Sequence, residues 1–298
     1  MNIDFDLSLK DFLLKDFHQL ITFLESNNLR YFCAFGTALG AVRHNNFIPW
    51  DDDIDIYMPY NDYKKLIDLT YQKKIINDKY EILSLRNDDY FTPFAKFVNL
   101  QTSVVEISTI HQVIGVYIDI FPLFNTNWDN SKVIEMQKKI KKARLDCTHS
   151  LYETNWRSFI KLLLNHHFNT ARYVLTGFIQ KRSFLRKKQK LNDLIDEVIN
   201  HGSENDQHLS YYDGNIVREV LFPKEWFSEA IVFPFANLMV KLPIGYDAYL
   251  TRIFGDYMIM PPIEKRNTNH PHYYINLSER LTFDEIQKRI KKGYTREL

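Results

Sequence analysis

The stretch from Phe35 to Met58, FGTALGAVRHNNFIPWDDDIDIYM, constrains this chain more than any other segment. Asp53 and Asp55 are separated only by Ile54, and the apolar alternation continues through Ile56 and Met58. Residues two apart share a face of a strand. A strand over 54–58 therefore turns Ile54 and Ile56 into a core and presents Asp53 and Asp55 side by side on the other face. Carboxylates that close repel, and one is driven to protonate unless a cation intervenes. Oxygen-only ligands suit Mg²⁺ or Mn²⁺, which hold few carboxylates together with substrate phosphates. Acid runs are commonly solvated loops. Here Pro49 and Trp50 fix and cover the approach, which favours an ordered site.

The chain has 298 residues, 45% of them apolar and 15% aromatic, enough for a sizeable core in one large domain or two modest ones. A net charge of +1 gives no general affinity for polyanions, so nucleic acid is not an expected partner. Cys33 and Cys147 are too few for a disulfide framework, and Cys33 lies in the apolar run YFCAF, where it reads as core packing in a reducing compartment. The opening MNIDFDLSLK carries Asp4 and Asp6 and lacks the apolar run of a signal peptide, and no apolar run is long enough to span a bilayer. A cytoplasmic protein, peripheral at most to the inner face of the plasma membrane, is the expectation.

Along the chain, Leu9, Phe12, Leu13, Phe17, Leu20, Ile21 and Leu24 recur at helical spacing, so residues 9–26 are expected as an amphipathic helix with Ser8 and Asp11 as a capping box. A short strand over Tyr31–Phe35 should run into Gly36-Thr37 and a short helix ending near Val42. Asn61 is expected to cap a further helix. Strands are expected at Glu81–Leu85, Phe94–Asn99, Ser103–Ile107 and Val116–Phe121. This order indicates an α+β sheet core over 1–125. Residues 126–210 read as a helical, basic middle region. From 211 to 298, Pro, Gly and aromatics return, as expected of a closing segment that folds back on the core.

Asp119, in VYIDIF, is a third acid between apolar neighbours on a strand. Alone it could satisfy a nearby backbone group or an arginine. Beside Asp53 and Asp55 it is the natural third ligand of a phosphoryl-transfer site, where metals neutralise the transferring phosphate. Gly36-Thr37 opening a helix would aim backbone N–H groups at an anion, and glycine permits close approach. Arg43 and His44 follow where a phosphate-binding side chain is useful, although a solvated pair at a helix end reads the same way.

GTALGAVRHNNFIPWDDDIDIYM closely resembles the signature of the LicD family, whose members include bacterial phosphorylcholine transferases and, more distantly, fukutin-type ribitol-phosphate transferases. YIDIFPL resembles the family's third-acid segment, and YLTRIFGDYMIMPPIEKRNTNH resembles its C-terminal segment. The resemblance implies a nucleotidyltransferase-like mixed sheet. It also implies transfer of a phospho-alcohol, phosphocholine first, from a CDP-linked donor such as CDP-choline. The product side would be CMP and a modified glycan, teichoic acid or lipopolysaccharide hydroxyl. Carried over residue by residue, Asp53, Asp55 and Asp119 match the metal-binding acids, and Gly36 and Thr37 the donor-phosphate turn. Asp51 and Asp52 match acids of supporting role, Asp51 on the face of Asp53. Lys96 matches a lysine that could neutralise phosphate, and Arg266 and His270 fall where the family's C-terminal segment covers the donor.

Other functions use the same residues. A nucleotidyltransferase would need the same acids and release pyrophosphate in place of CMP. A glycerol- or ribitol-phosphate transferase serving a capsule would differ only in the donor's alcohol. A non-catalytic binding module would not need all three acids. Residues 156–190 add nine Lys or Arg and no Asp or Glu, interleaved with aromatic and aliphatic residues. Such a segment suits an anionic membrane surface, a polyanionic acceptor or a core helix with a solvated basic face.

Overall fold

The computed structural model describes residues 3–108, 110–151, 160, 163–164, 183–215, 217–266 and 272–298. Helix α1 (Ile3–Ser26) lays Phe5, Leu9, Leu13, Phe17, Leu20 and Leu24 on one buried stripe. Each such side chain contributes roughly 1.5–3 kcal/mol when fully buried. The helix begins well before the expected start at residue 9, because Phe5 extends the stripe by a turn. Ser8 therefore lies within the helix and does not cap it.

Strand β1 (Phe32–Cys33) leads into α2 (Phe35–His44), and β2 (Asp55–Pro59) leads directly into α3 (Tyr60–Thr70). The expected cap Asn61 is inside α3. Pro59 occupies the capping position without a side-chain bond, and the Asn61 amide donates to Glu204. There follow β3 (Lys74–Ile75), β4 (Tyr80–Leu83), β5 (Ala95–Asn99), β6 (Ser103–Val105) and the long β7 (Tyr117–Thr126). The central sheet runs β1-β2-β7-β5-β4-β3, parallel only between β2 and β7. Pro122, which cannot donate to a ladder, falls past Ile120–Ala95, the last pair that β7 makes with β5.

Helices α4 (Asn130–Ser150) and α5 (Phe184–His201) pack against one another, and β8 (His208–Ser210) pairs with the far end of β7. The middle of the chain thus adds a strand to the sheet as well as helices. β9 (Phe222–Pro223) pairs with β8, β10 (Ala230–Phe235) and β11 (Leu238–Pro243) form a hairpin, and α6 (Tyr246–Phe254) follows. β12 (Tyr274–Asn276) pairs with β6 and with β13 (Arg296–Glu297), and α7 (Phe283–Lys291) lies between them in sequence. The fold is α+β.

The closing segment is bonded to α2. Tyr249 Oη accepts the Phe35 N–H at 2.8 Å, Arg43 donates to the Tyr257 carbonyl at 2.6 Å, and the Ala236 N–H donates to Asn45. No helix among the described residues is long and apolar enough to cross a membrane. Most of the basic stretch 156–190 lies outside the described residues. Of its described part, Lys187 and Lys188 turn inward. Lys188 is buried and donates to the Asn87 carbonyl, and Lys187 donates to Ser150 and to the Asp146 carbonyl. These two lysines are therefore not part of an outward basic face.

One buried acid fixes a pH dependence of the fold. Asp16 of α1 accepts from Tyr80 Oη at 2.7 Å and from Asn99 Nδ2 at 3.0 Å, and burial raises its pKa from 3.8 to about 6 against those hydrogen bonds. Between those values the native chain holds a proton that the unfolded chain releases, so stability falls as pH rises. The fall from this group should approach roughly 3 kcal/mol, at 1.36 kcal/mol per pKa unit. Urea unfolding at pH values across this window should show that slope, and Asp16→Asn should flatten it. An equal slope in the variant would assign the dependence to another group.

Candidate active site

The site is built where α2 begins, beside the two parallel strands. Asp55 and Asp119 are register partners on β2 and β7, and Lys96 on β5 is the register partner of Asp119. Three charged side chains thus form a row across adjacent strands. The backbone of Asp55 is held from both sides. Its N–H donates to Thr37 Oγ1 at 2.9 Å, and its carbonyl accepts from the Ala34 N–H at 2.9 Å. Thr37 is buried and ties the first turn of α2 to β2. The loop before β2 is anchored by Lys10, whose ammonium donates to the Pro49 carbonyl at 2.8 Å.

Asp51, Asp52 and Asp53 each offer a carboxylate oxygen, and these oxygens lie within 4.8 Å of one another. Burial raises the Asp55 carboxyl well above its ordinary value, and Asp53, Asp119 and Asp51 push it the same way. Lys96 is the opposing charge. It is only 5% exposed, pairs with Asp119 at 2.9 Å and Glu106 at 3.6 Å, and sits 3.3 Å from the Tyr117 ring centroid. Burial pulls the ammonium down, but the two carboxylates outweigh it and hold it above the ordinary lysine value. The donor set, oxygen-only and short of positive charge, fits a hard divalent cation.

These residues open onto a cavity of about 560 Å³. Asp51, Asp53, Asp55, Asp119, Lys96, Gly36 and Arg43 all line it. Asp52 borders a smaller cleft with Asp53, Asp119 and His272. His44 accepts from Arg43 Nε at 3.0 Å, and burial followed by the Arg43 charge lowers its pKa. Arg266 lies over Trp50 at 5.5 Å and donates to the Pro261 carbonyl, while its neighbour Lys265 lines the cavity. His270 lies outside the described residues.

Phe35, at the mouth of α2, has φ 41°, in a region that bulky residues avoid. It is held there by its bond to Tyr249 and by edge contacts with Phe121 and Tyr211. Backbone strain of this kind concentrates at functional sites. Gly36 follows. A Cβ at this position would lie 2.2 Å from Asp51 Oδ2, so the glycine lets the carboxylate rest against the helix start. Gly36→Ala should leave the chain folded but displace Asp51. The expected result is a smaller rise in melting temperature on adding Mg²⁺ than in the wild type. An unchanged metal response would separate Asp51 from metal binding.

Several lining residues escape a sequence reading: Glu106, Tyr117, Arg144, Asp213, Asn215 and Arg218. Arg144 sits within KKIKKARLD on α4, where its pattern is that of a solvated helix. Asp213, Asn215 and Arg218 come from an irregular segment whose place is set by long-range packing, with no local signal.

Residues 28–163 match the family described as LicD/FKTN/FKRP, nucleotidyltransferase domain. The chain is 26% identical over 259 residues to lipopolysaccharide cholinephosphotransferase LicD of Haemophilus influenzae, covering 87% of this chain and 92% of that protein. Shorter similarity, 50% over 50 residues, links it to uncharacterized proteins of Rickettsia prowazekii and Rickettsia typhi. That similarity covers 17% of this chain and 18% and 15% of theirs. The matched span contains the start of α2, the acids of β2 and β7, Lys96 and Arg144, so the part of the chain that builds the site is the part similar to the LicD/FKTN/FKRP nucleotidyltransferase domain.

Proposed function

We propose that this protein is a metal-dependent transferase that moves phosphocholine from CDP-choline to a hydroxyl of a lipopolysaccharide-type glycan, releasing CMP. The observation that carries the reading is the row Asp55–Asp119–Lys96 facing the 560 Å³ cavity, with Asp51 and Asp53 beside it. The Haemophilus relative, matched along most of both chains, supports the choline-phosphate and lipopolysaccharide parts. A divalent cation, Mg²⁺ or Mn²⁺, when held by Asp53, Asp55 and Asp119 with Asp51 and Asp52 in support, would neutralise the carboxylates and the donor's phosphates.

The chain's own residues position the reaction. The first turn of α2, at Gly36 and Thr37, offers backbone N–H groups to a donor phosphate. Arg43, at the other end of α2, adds a fixed charge, and Arg266 and His270 would cover the donor. Lys96 holds Asp119 in place and limits the negative charge of the site. Phe254 and Tyr257 bring ring surface to the cavity, which suits a quaternary ammonium. A new bond forms between the acceptor oxygen and the choline-bearing phosphorus as the bond to CMP breaks. The acceptor's proton passes to a carboxylate of the cluster. We place the reaction in the cytoplasm, where the buried free thiols Cys33 and Cys147 would persist.

The family description favours a second reading, nucleotidyl transfer onto an acceptor. The product separates the two. Incubation with CDP-choline, CDP-glycerol and CDP-ribitol and Mg²⁺ should release CMP, fastest from CDP-choline. CMP from another alcohol alone would correct the donor. Pyrophosphate from a nucleoside triphosphate, with no CMP from any of the three, would establish nucleotidyl transfer.

A further inference from the structure

The cavity has a second wall, built from outside the central sheet. Helix α4 contributes Arg144, and the segment after β8 contributes Asp213, Asn215 and Arg218. These pieces are bonded together. Arg144 Nη1 donates to Asn215 Oδ1 at 2.5 Å, the Asn215 N–H donates to Asp213 Oδ1 at 2.8 Å, and the Arg218 N–H donates to Gln137 of α4 at 3.0 Å. The Arg218 side chain donates through Nε to Tyr211 Oη at 2.9 Å and lies 5.3 Å from the centroid of the Phe35 ring. It is thereby held beside the residue that opens α2.

The two arginines of this wall are held by neutral partners. Arg30, Arg86, Arg289 and Arg296 each pair with a carboxylate. Among the described residues neither Arg144 nor Arg218 makes an ion pair, although both line a cavity rich in carboxylates. Arg144 goes further. Among the described residues its buried Nε reaches no acceptor, while its Nη1 donates to a neutral amide. Both guanidinium groups are half-buried, and Glu106 acts on Arg144 at a distance without forming an ion pair. Locked at the edge of one cavity, the two form a site waiting for an anion. The planar guanidinium fork matches two phosphate oxygens at once.

We propose that Arg144 and Arg218 form a phosphate-binding pair for a substrate phosphate other than the one held at the acids. This rests on the phospho-transfer reading above and deepens it. Such a phosphate has two sources: the cytidine-bearing phosphate of the donor, or a phosphate ester on the acceptor sugar. Arg218 lies beyond the span matched by the family model, so it belongs to the part of the chain that would adapt a shared core to its own substrates.

Calorimetric titration of the full-length protein in Mg²⁺ decides the matter, with CMP against cytidine as one arm and glucose 6-phosphate against glucose as the other. Arg144→Gln and Arg218→Gln should each weaken one phosphorylated probe by about ten- to a hundredfold, as expected for loss of a charge-assisted contact. The unphosphorylated probes should be unaffected. Arg186→Gln, exposed on α5, should change nothing. Weakened CMP assigns the pair to the donor, and weakened glucose 6-phosphate assigns it to the acceptor. Should a Gln variant fail to melt cooperatively, the corresponding Lys variant, which keeps the charge and loses the fork, is measured in its place and should show a partial loss. Unchanged affinities for both phosphorylated probes, or no binding of either by the wild type, would overturn the proposal. A wild type that binds CMP through these arginines yet releases no CMP from any CDP-alcohol would instead overturn the phospho-transfer reading and leave the pair standing.

Discussion

Asp55→Asn should cut turnover by at least about a thousandfold while making the metal-free protein more stable. On the proposed transfer reaction, the size follows from removing a carboxylate from the centre of a site that would work by electrostatic positioning. The sign of the stability change follows from the pKa. The Asp55 carboxyl is raised well above its ordinary value by burial and by Asp53, Asp119 and Asp51. From the ordinary carboxylate range up to that raised value, the native chain binds a proton that the unfolded chain does not. Stability is therefore lost as pH rises through the window, and an uncharged amide avoids the loss. Thermal melts in chelator from acid to neutral pH should show Asp55→Asn more stable at neutral pH, the gap closing toward acid. Added Mg²⁺ should reverse the order, because ligand binding stabilises the native wild type by mass action. A variant that keeps a tenth of wild-type turnover would take Asp55 out of the site.

The contrast with Asp119 shows where a sequence reading stops. Three acids on alternating strands look alike from their spacing, and repulsion predicts that loss of any one would spare the metal-free fold. The structure separates them. Asp119 faces a buried ammonium, so its loss leaves Lys96 to Glu106 at 3.6 Å, and Asp119→Asn should destabilise the metal-free protein where Asp55→Asn stabilises it. The alternation of Ile54, Asp55 and Ile56 was legible because period 2 is local. The pairing of Lys96 with Asp119 depends on register between strands that are far apart in sequence.

The same division runs through the rest of the molecule. The sheet core and most of its strands follow from apolar runs bounded by turn residues. Their ends do not, because β7 extends to Thr126 only by recruiting β8 from more than eighty residues downstream. The helix start at Gly-Thr was legible, but the part Thr37 plays in it was not: it is buried, with its hydroxyl accepting from the Asp55 backbone. Arg144 and Arg218 were invisible, since an arginine in a basic helix and another in an irregular loop carry no periodic mark. What brings them together is their place on one wall of the cavity, which only three-dimensional packing reveals.

Lys96→Met should be the most damaging single change to the fold within the site. Lys96 is 5% exposed, and loss of its ammonium would leave Asp119 beside Asp55 on the neighbouring strand, with Glu106 and Asp53 close by. Methionine preserves much of the volume and lets the Tyr117 ring keep an apolar contact, so the change isolates the charge. Removing one partner of a buried pair typically costs about 3–5 kcal/mol, because the other charge remains buried. Asp119→Asn in the same chain removes that stranded charge, so the double variant should regain most of the lost stability and none of the activity. Chemical unfolding of the wild type, both single variants and the double variant in chelator gives the coupling energy directly. A coupling near zero would show that the 2.9 Å contact between Lys96 and Asp119 contributes little to holding the three-strand row together. Divalent cation should then act in the opposite sense on the single variant. With the ammonium gone, the site is more negative, so Mg²⁺ should restore more stability to Lys96→Met than it adds to the wild type.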